Sequence, residues 1–470
     1  MTMRSVFRAT GVVVATSALA LAMTLVAGGT NPTGASTKSA PVCALSTLAK
    51  ATHPVNIVFW ESMSQANATT LSNLTNDFNS MQTAVHVTLV QQGGSDVTWE
   101  KYQAGLSNGE LPNLAQIQDT DVQGAIDTNS ILPVQNCITT NHYSTSDFVP
   151  EVLSYWKVKG VQWALPFAVS NPILYYNKLA FEKAGLNPNK PPATLPQMIA
   201  DAAALKKAGY GTALKLDSWH LETWLATADQ LFVNKANGRK GRASKAVFDT
   251  ATGRKIFTLL DNFVRSGLAT TNPSTGPSDY DNLLGLGNGK YAMTIDTSAA
   301  LGTIQALLNG GQYPNVQLGV GAFPVLSAST KGGIEPGGSA LYIMKEGSSP
   351  AKEAAAWAYI TFLDSTQSQA TWSAGTGFIP VRMSSTKTAT LKNLWSKNPA
   401  FAVAYQQQVG GITTPATSGS VIGDYSDVRT AVLNAEMSMY QSGVSPAAAL
   451  SAAASQVNSI LQSYNQRLGS

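Results

Sequence analysis

WALPFAVSNPILYYNK, Trp163 to Lys178, is the stretch whose reading decides the fold of this chain. It opens apolar, pauses at Ser170-Asn171-Pro172 and resumes as a strand-like run, Ile173-Leu174-Tyr175-Tyr176. Pro166 and Pro172 fix φ and push Leu165 and Asn171 toward extended backbone. The segment therefore reads as an extended chain that leaves one apolar core, shows a polar surface briefly and enters another. Two lobes share a hinge in this way, and a cleft beside such a hinge is a natural ligand site.

The flanking sequence is that of two α/β lobes. Upstream, residues 55–60 (VNIVFW) form a short buried strand. Residues 64–81 carry Leu71, Leu74, Phe78 and Met81 at helical spacing, and 85–90 alternate as a second strand. Strand, helix and strand in so short a span form a βαβ unit with a parallel pair. A helix over 98–106 and a strand over 114–118 follow. Downstream, helices are expected over 178–184, stopped by Gly185, and over 195–208. Residues 213–233 place Trp219 and Trp224 among helical residues, and 255–264 form a further helix. Strands are expected at 291–295 and 341–344, and helices at 351–363, 425–440 and 446–467. The Gly- and Pro-bearing segments 318–325 and 376–380 read as a second and a third crossing between lobes.

Composition agrees with this organisation. A chain of 470 residues is long enough for two lobes. Its hydrophobic share of 44% is ordinary, while the charged share of 12% is about half the usual one. Arg4 and Arg8 followed by an uncharged apolar run, 11–27, read as a secretory signal peptide over 1–29. A membrane anchor is the alternative, since the run is near the lower limit for a span. Residues 30–53, without periodicity, read as a linker. Leu25-Val26-Ala27-Gly28 resembles the approach to a lipoprotein cleavage site, but Gly29 stands where the lipid-bearing Cys is needed, and Ser39-Ala40-Pro41-Val42 is a poor approach to Cys43. The protein is thus expected to be exported, extracellular or periplasmic, without a lipid anchor. The formal charge is +4, and with Arg4 and Arg8 removed it is +2, so nothing favours nucleic acid or an anionic membrane as partner. Outside the cytoplasm Cys43 and Cys137 either pair or remain as buried free thiols. Together with His53, His86, His142 and His220 they offer no zinc spacing, so no metal and no cofactor is expected.

No nucleophile elbow, zinc-protease motif or phosphate loop is present, and no carboxylate pair is recognisably placed for glycoside hydrolysis. What is present is Trp beside polar turns: Trp60, Trp99, Trp163, Trp219, Trp224 and Trp372. Flat rings next to carboxylates and amides suit the apolar faces and hydroxyl edges of sugars. The plainer reading is that each Trp anchors a core.

Four pieces carry a resemblance to a known family. They are Phe59-Trp60-Glu61-Ser62-Met63; the hinge run Leu165-Pro166-Phe167 with Pro172-Ile173-Leu174-Tyr175-Tyr176-Asn177-Lys178 and Phe181-Glu182-Lys183-Ala184-Gly185-Leu186; Gly289-Lys290-Tyr291-Ala292-Met293-Thr294; and Gly375-Thr376-Gly377-Phe378-Ile379-Pro380. In this order, across residues 54–468, the chain resembles the extracytoplasmic solute-binding proteins of ABC importers, carbohydrate-type group, and within it the glycerol-3-phosphate-binding members. The resemblance implies a two-lobed periplasmic-binding-protein-like α/β fold, with 54–168 and 325–377 as the first lobe and 169–324 and 378–470 as the second. It implies a monomer that closes on a small sugar-type ligand without converting it, then docks on a membrane permease. Carried over by position, the ligand residues are Trp99, Asp119, Ser170, Trp219, Thr297 or Ser298, Gly337 or Gly338, Phe378 and Arg429. Here Trp99 and Phe378 replace Tyr, and Asp119 replaces Glu. Two hydroxyl donors are lost where a phosphate monoester needs many. That favours a larger, less charged ligand, an oligosaccharide or a glycerophosphodiester, over glycerol phosphate. A secreted glycan-active enzyme and a ligand sensor without a transport role are the rival readings.

Overall fold

The computed structural model describes residues 42–273 and 280–469; the expected signal peptide and the first half of the expected linker, 30–41, lie outside the described residues. The strands are β1 Val55–Glu61, β2 Val85–Gln91, β3 Leu114–Gln118, β4 Ile131–Leu132, β5 Lys157–Val158, β6 Val161–Gln162, β7 Leu165–Ser170, β8 Pro172–Asn177, β9 Gly211–Leu216, β10 Thr270–Pro273, β11 Tyr291–Thr297, β12 Leu318–Gly321 and β13 Gly337–Met344. The first sheet runs β2-β1-β3-β13-β4, with β7 also paired to β13. The second runs β10-β9-β11-β8-β12, and β5 and β6 form a separate ribbon.

The first βαβ unit forms as its pattern requires. β1 and β2 are parallel, in register from Val55↔Val85 to Glu61↔Gln91. The helix Gln65–Met81 between them buries Leu71, Leu74 and Phe78, whereas Met81 at its end is exposed. Phe78 meets Tyr359 edge-on at 5.1 Å, so the helix Pro350–Leu363 covers the same side of the sheet.

Asn171 alone separates β7 of the first sheet from β8 of the second. The hinge expected from the sequence is there, but its polar pause is not a surface: Asn171 is fully buried. Its amide donates to Ala404 O at 3.0 Å and Gln408 Oε1 at 3.1 Å, and its Oδ1 accepts from Gln407 Nε2 at 2.6 Å. A polar side chain can cross a core when its hydrogen bonds are made within it.

The other two crossings are displaced from their expected places. Residues 318–325 stay with the second sheet: β12 pairs with β8, and Val325 bridges Thr194. The chain passes to the first sheet over 327–336, where the Gly332 N–H donates to Thr227 O. Residues 376–380 stay with the first core, where Ile379 donates to Val169 O at 2.7 Å. The return lies in 410–424, with Val421 in the first core and Ile422 in the second. Residues 378–409 therefore pack with the first core, through Phe378, Val381, Phe401 and Ala404, not with the second lobe as the sequence suggested. Glycine and proline mark irregular extended chain, but they do not say which core it leaves.

Residues 42–53 are not a free linker. Cys43 is bonded to Cys137, 94 residues away, and Leu45–Lys50 forms a 3₁₀ turn. Asn141 holds the segment down by donating to Cys43 O at 3.0 Å.

Candidate functional site

In an α/β sheet the carboxyl ends of strands are where ligands bind. Here the carboxyl ends of β1, β3, β7, β9 and β11 meet the start of β13 around a cleft of about 330 Å³. Its first wall carries Ser62, Met63, Asn67 and Asp96 with Gln116, Gln118 and Asp119. The opposite wall carries Lys215, Asp217, Trp219, His220, Tyr280 and Asp296, and Arg429 reaches in from the helix Tyr425–Ser442.

Of the residues expected from the sequence, Asp119, Ser170, Trp219, Thr297, Gly337, Gly338, Phe378 and Arg429 line this cleft. Trp99 and Ser298 do not. Trp99 is stacked on Tyr102 at 5.0 Å and lies against Gly124, so it packs within the first lobe and not on the cleft wall where the sequence reading expected it. Ser298 is fully buried at the hinge, where its N–H donates to Asn171 O at 2.9 Å.

The eight that meet are positioned by their elements. Asp119 opens a 3₁₀ turn at the end of β3, and its Oδ1 accepts from Gly338 N–H at 3.0 Å. That Gly338 donor is therefore taken by the protein. Gly337 lets β13 approach the indole: a Cβ there would lie 2.6 Å from Trp219 Cζ2. Trp219 stands in the first turn of the helix Ser218–Thr227, which Asp217 caps by accepting from its N–H at 3.1 Å. Phe378 is held by stacking on Trp372 at 5.2 Å. Thr297 caps the 3₁₀ turn Ser298–Ala300.

Arg429 is not a free fork for an anion. It is bidentate to Glu222, Nε to Oε1 at 3.1 Å and Nη2 to Oε2 at 2.9 Å, and it lies 3.6 Å from Asp119 Oδ2. Glu222 is buried, and Tyr425 donates to it at 2.8 Å. Although burial opposes its charge, the two carboxylates hold Arg429 protonated well beyond its ordinary range. Burial raises the Asp119 carboxyl, with Arg429 acting against that, and raises Glu335 behind it much further, with the Glu222 charge adding to the effect. Burial lowers the pKa of His220, with the Asp217 charge acting against it. Asp217 is lowered because His220, Lys215 and Arg429 outweigh its burial.

Sequence reasoning missed Lys215, Asp217, His220, Asp296 and Asn67. A signal existed for two of them. Lys215 and Asp296 are charged residues in otherwise apolar strands, ALKL and AMTID, each next to the strand's last residue. Five cleft-lining residues also hold a buried polar atom without a partner: Asn67 Oδ1, Gln118 Oε1, Trp219 Nε1, His220 Nδ1 and Asp296 Oδ2. The carboxylates Asp96, Asp119, Asp217 and Asp296 outnumber the cations Lys215 and Arg429, and both cations are ion-paired.

Comparison with known proteins agrees with this architecture. Residues 73–403 match the model of the bacterial extracellular solute-binding protein family. The chain is 28% identical over 422 residues to the sn-glycerol-3-phosphate-binding periplasmic protein UgpB of Pectobacterium atrosepticum, covering 87% of this chain and 92% of that one. Against the protein of the same name from Salmonella typhimurium it is 27% identical over 420 residues, covering 87% and 93%. Among solved structures, UgpB from Mycobacterium tuberculosis in complex with glycerophosphocholine superposes with a TM-score of 0.71 at 20% identity, over 89% of this chain and 99% of that one. The cyclic alpha-maltosyl-1,6-maltose binding protein from Arthrobacter globiformis superposes with a TM-score of 0.70 at 19% identity, over 87% and 100%. These superpositions show the two-lobed α/β fold, and the match over 73–403 places the chain in the bacterial extracellular solute-binding protein family.

Proposed function

We propose that this protein is the exported solute-binding component of an ABC importer and that it carries a neutral, hydroxyl-rich solute of the oligosaccharide class. It binds without converting its ligand and presents its closed form to a membrane permease. The lobes follow those drawn from the sequence, with the first crossing at Asn171, the second at 327–336, and 378–409 joined to the first lobe.

The charge balance of the cleft carries the choice of ligand. A phosphate monoester brings acceptor oxygens and negative charge. It would face four aspartates, with Arg429 already occupied by Glu222 and Gly338 N–H by Asp119. A polyol brings donors as well as acceptors. The unpartnered oxygens of Asn67, Gln118 and Asp296 suit donors, and the Trp219 indole suits the C–H face of a sugar ring.

Isothermal titration of the full chain with maltose, maltotriose, sn-glycerol 3-phosphate and glycerophosphocholine tests this. A neutral sugar should bind, and glycerol 3-phosphate should bind at least about tenfold more weakly, the equivalent of one lost good interaction. Trp219→Ala should weaken the sugar by about tenfold or more through lost stacking area. Glycerol 3-phosphate binding more tightly than every sugar would overturn the assignment.

A further inference from the structure

The buried Lys215–Asp296 pair has no role in the site as described so far. Its atoms lie 3.0 Å apart, with side chains 4% and 2% exposed, and both residues line the cleft. A buried ion pair is poor at stabilising a fold, because desolvation of two charges offsets their attraction. Its place in the fold points to a ligand instead. β9 and β11 are adjacent and parallel, so their carboxyl ends open to the same side. Lys215 and Asp296 each stand next to the last residue of one of these strands.

The polar inventory of the pair is unequal. Asp296 Oδ1 accepts from Lys215 Nζ and, at 2.7 Å, from Thr297 N–H. Asp296 Oδ2 is buried and accepts no hydrogen bond among the described residues. An ionised carboxylate in a low-dielectric site with one oxygen unsatisfied is costly unless a donor arrives. Around the pair stand Asp217, capping the Trp219 helix, His220 with its Nδ1 unpartnered among the described residues, and Tyr280, whose ring centre lies 5.9 Å from Lys215 Nζ. The setting is thus an ammonium donor beside a carboxylate acceptor, with the Trp219 indole lining the same cleft.

We propose that Lys215 and Asp296 form a subsite for a vicinal diol of a sugar, which rests on the functional reading above and names the part of the ligand that is recognised. One hydroxyl oxygen accepts from Lys215 Nζ, and its neighbour donates to Asp296 Oδ2. Adjacent ring hydroxyls lie about one hydrogen-bond length apart, which matches an ammonium and a carboxylate already in contact. The same ring lies against Trp219. A phosphate is refused here by Asp296 and Asp217.

The test is titration of the full chain and of Lys215→Met, Asp296→Asn and the double variant Lys215→Met/Asp296→Leu with glucose, maltose and maltotriose. Melting curves confirm that each variant is folded. The double variant matters because either single change leaves a charge buried alone, whereas removing both replaces the pair with apolar groups. The sugar that binds the wild type should lose at least tenfold in affinity in each folded variant. The double variant folding and binding that sugar with wild-type affinity would overturn the subsite while leaving the sugar-binding function intact. A wild type that binds none of the three sugars would instead overturn the function, and the subsite with it.

Discussion

Two residues of the second lobe show how burial becomes a measurable property. Glu436 is buried on the helix Tyr425–Ser442. Burial, with the Asp217 charge adding to it, pushes its carboxyl up to about 8. The folded chain therefore holds this proton more tightly than the unfolded chain does. Between the ordinary glutamate range and about 8, rising pH removes stability, and above that the loss is complete. Chemical denaturation at stepped pH should show stability falling from about pH 5 to about pH 8, and Glu436→Gln should flatten that fall by up to about 4 kcal/mol. An unchanged slope would assign the effect to Asp121 and Glu335, which burial raises further. The second residue is Trp219, through its neighbour Gly337. A methyl at 337 would collide with the indole, so Gly337→Ala should weaken sugar binding about tenfold while a melting curve changes little.

At the scale of elements, the β7-to-β8 passage was legible because two prolines and a run of β-formers leave few alternatives to extended chain. What the residues of that stretch could not show was that its polar break is internal. Ala404, Gln407 and Gln408, which satisfy Asn171, come from more than 230 positions away. Asn171→Leu strands these groups inside the core and should cost about 2–4 kcal/mol in chemical denaturation. A loss below about 0.5 kcal/mol would mean that water replaces the amide. β9 was misread for a related reason. GTALKL lacks alternation, since both of its faces are covered and its Lys215 faces an ion partner on β11. Periodicity cannot tell such a strand from a helix segment. The error hid Lys215 and Asp217, two charged residues of the cleft wall.

At the scale of the whole molecule, an ion-paired contact joins the lobes outside the cleft. Asp127 of the first lobe accepts from Arg242 Nη1 at 2.9 Å and Nη2 at 2.7 Å, and from Tyr464 OH at 2.7 Å. Arg242 and Tyr464 belong to the second lobe, and Arg242 acts first among the interactions that lower Asp127 against its burial. Arg242→Ala removes the fork without touching the cleft. It should weaken sugar binding about three- to tenfold by favouring separated lobes, with a larger radius of gyration in solution scattering of the ligand-free protein. Unchanged affinity and scattering would show that the contact has no part in closure. The Cys43–Cys137 bond works at the same scale, closing a loop of 94 residues. Cys43→Ser should lower unfolding stability by about 2–5 kcal/mol, read from denaturant midpoints under non-reducing conditions.

The sequence by itself determined the fold class and the first hinge strand pair, and it pointed to eight of the residues that line the cleft. Those readings rest on local rules: period, proline geometry and a motif order that resembles a known family. The tertiary structure alone decided that Trp99 packs away from the cleft and that Arg429 is held by Glu222. It also decided that residues 378–409 join the first core, and that Lys215 meets Asp296. Trp99 packs on Tyr102 and Gly124, which are near it in sequence, but the others depend on which distant side chain fills a neighbouring space or neutralises a neighbouring charge. No spacing within a segment carries that information, because partners separated by 81 to 310 positions are brought together only by the packing of the two sheets.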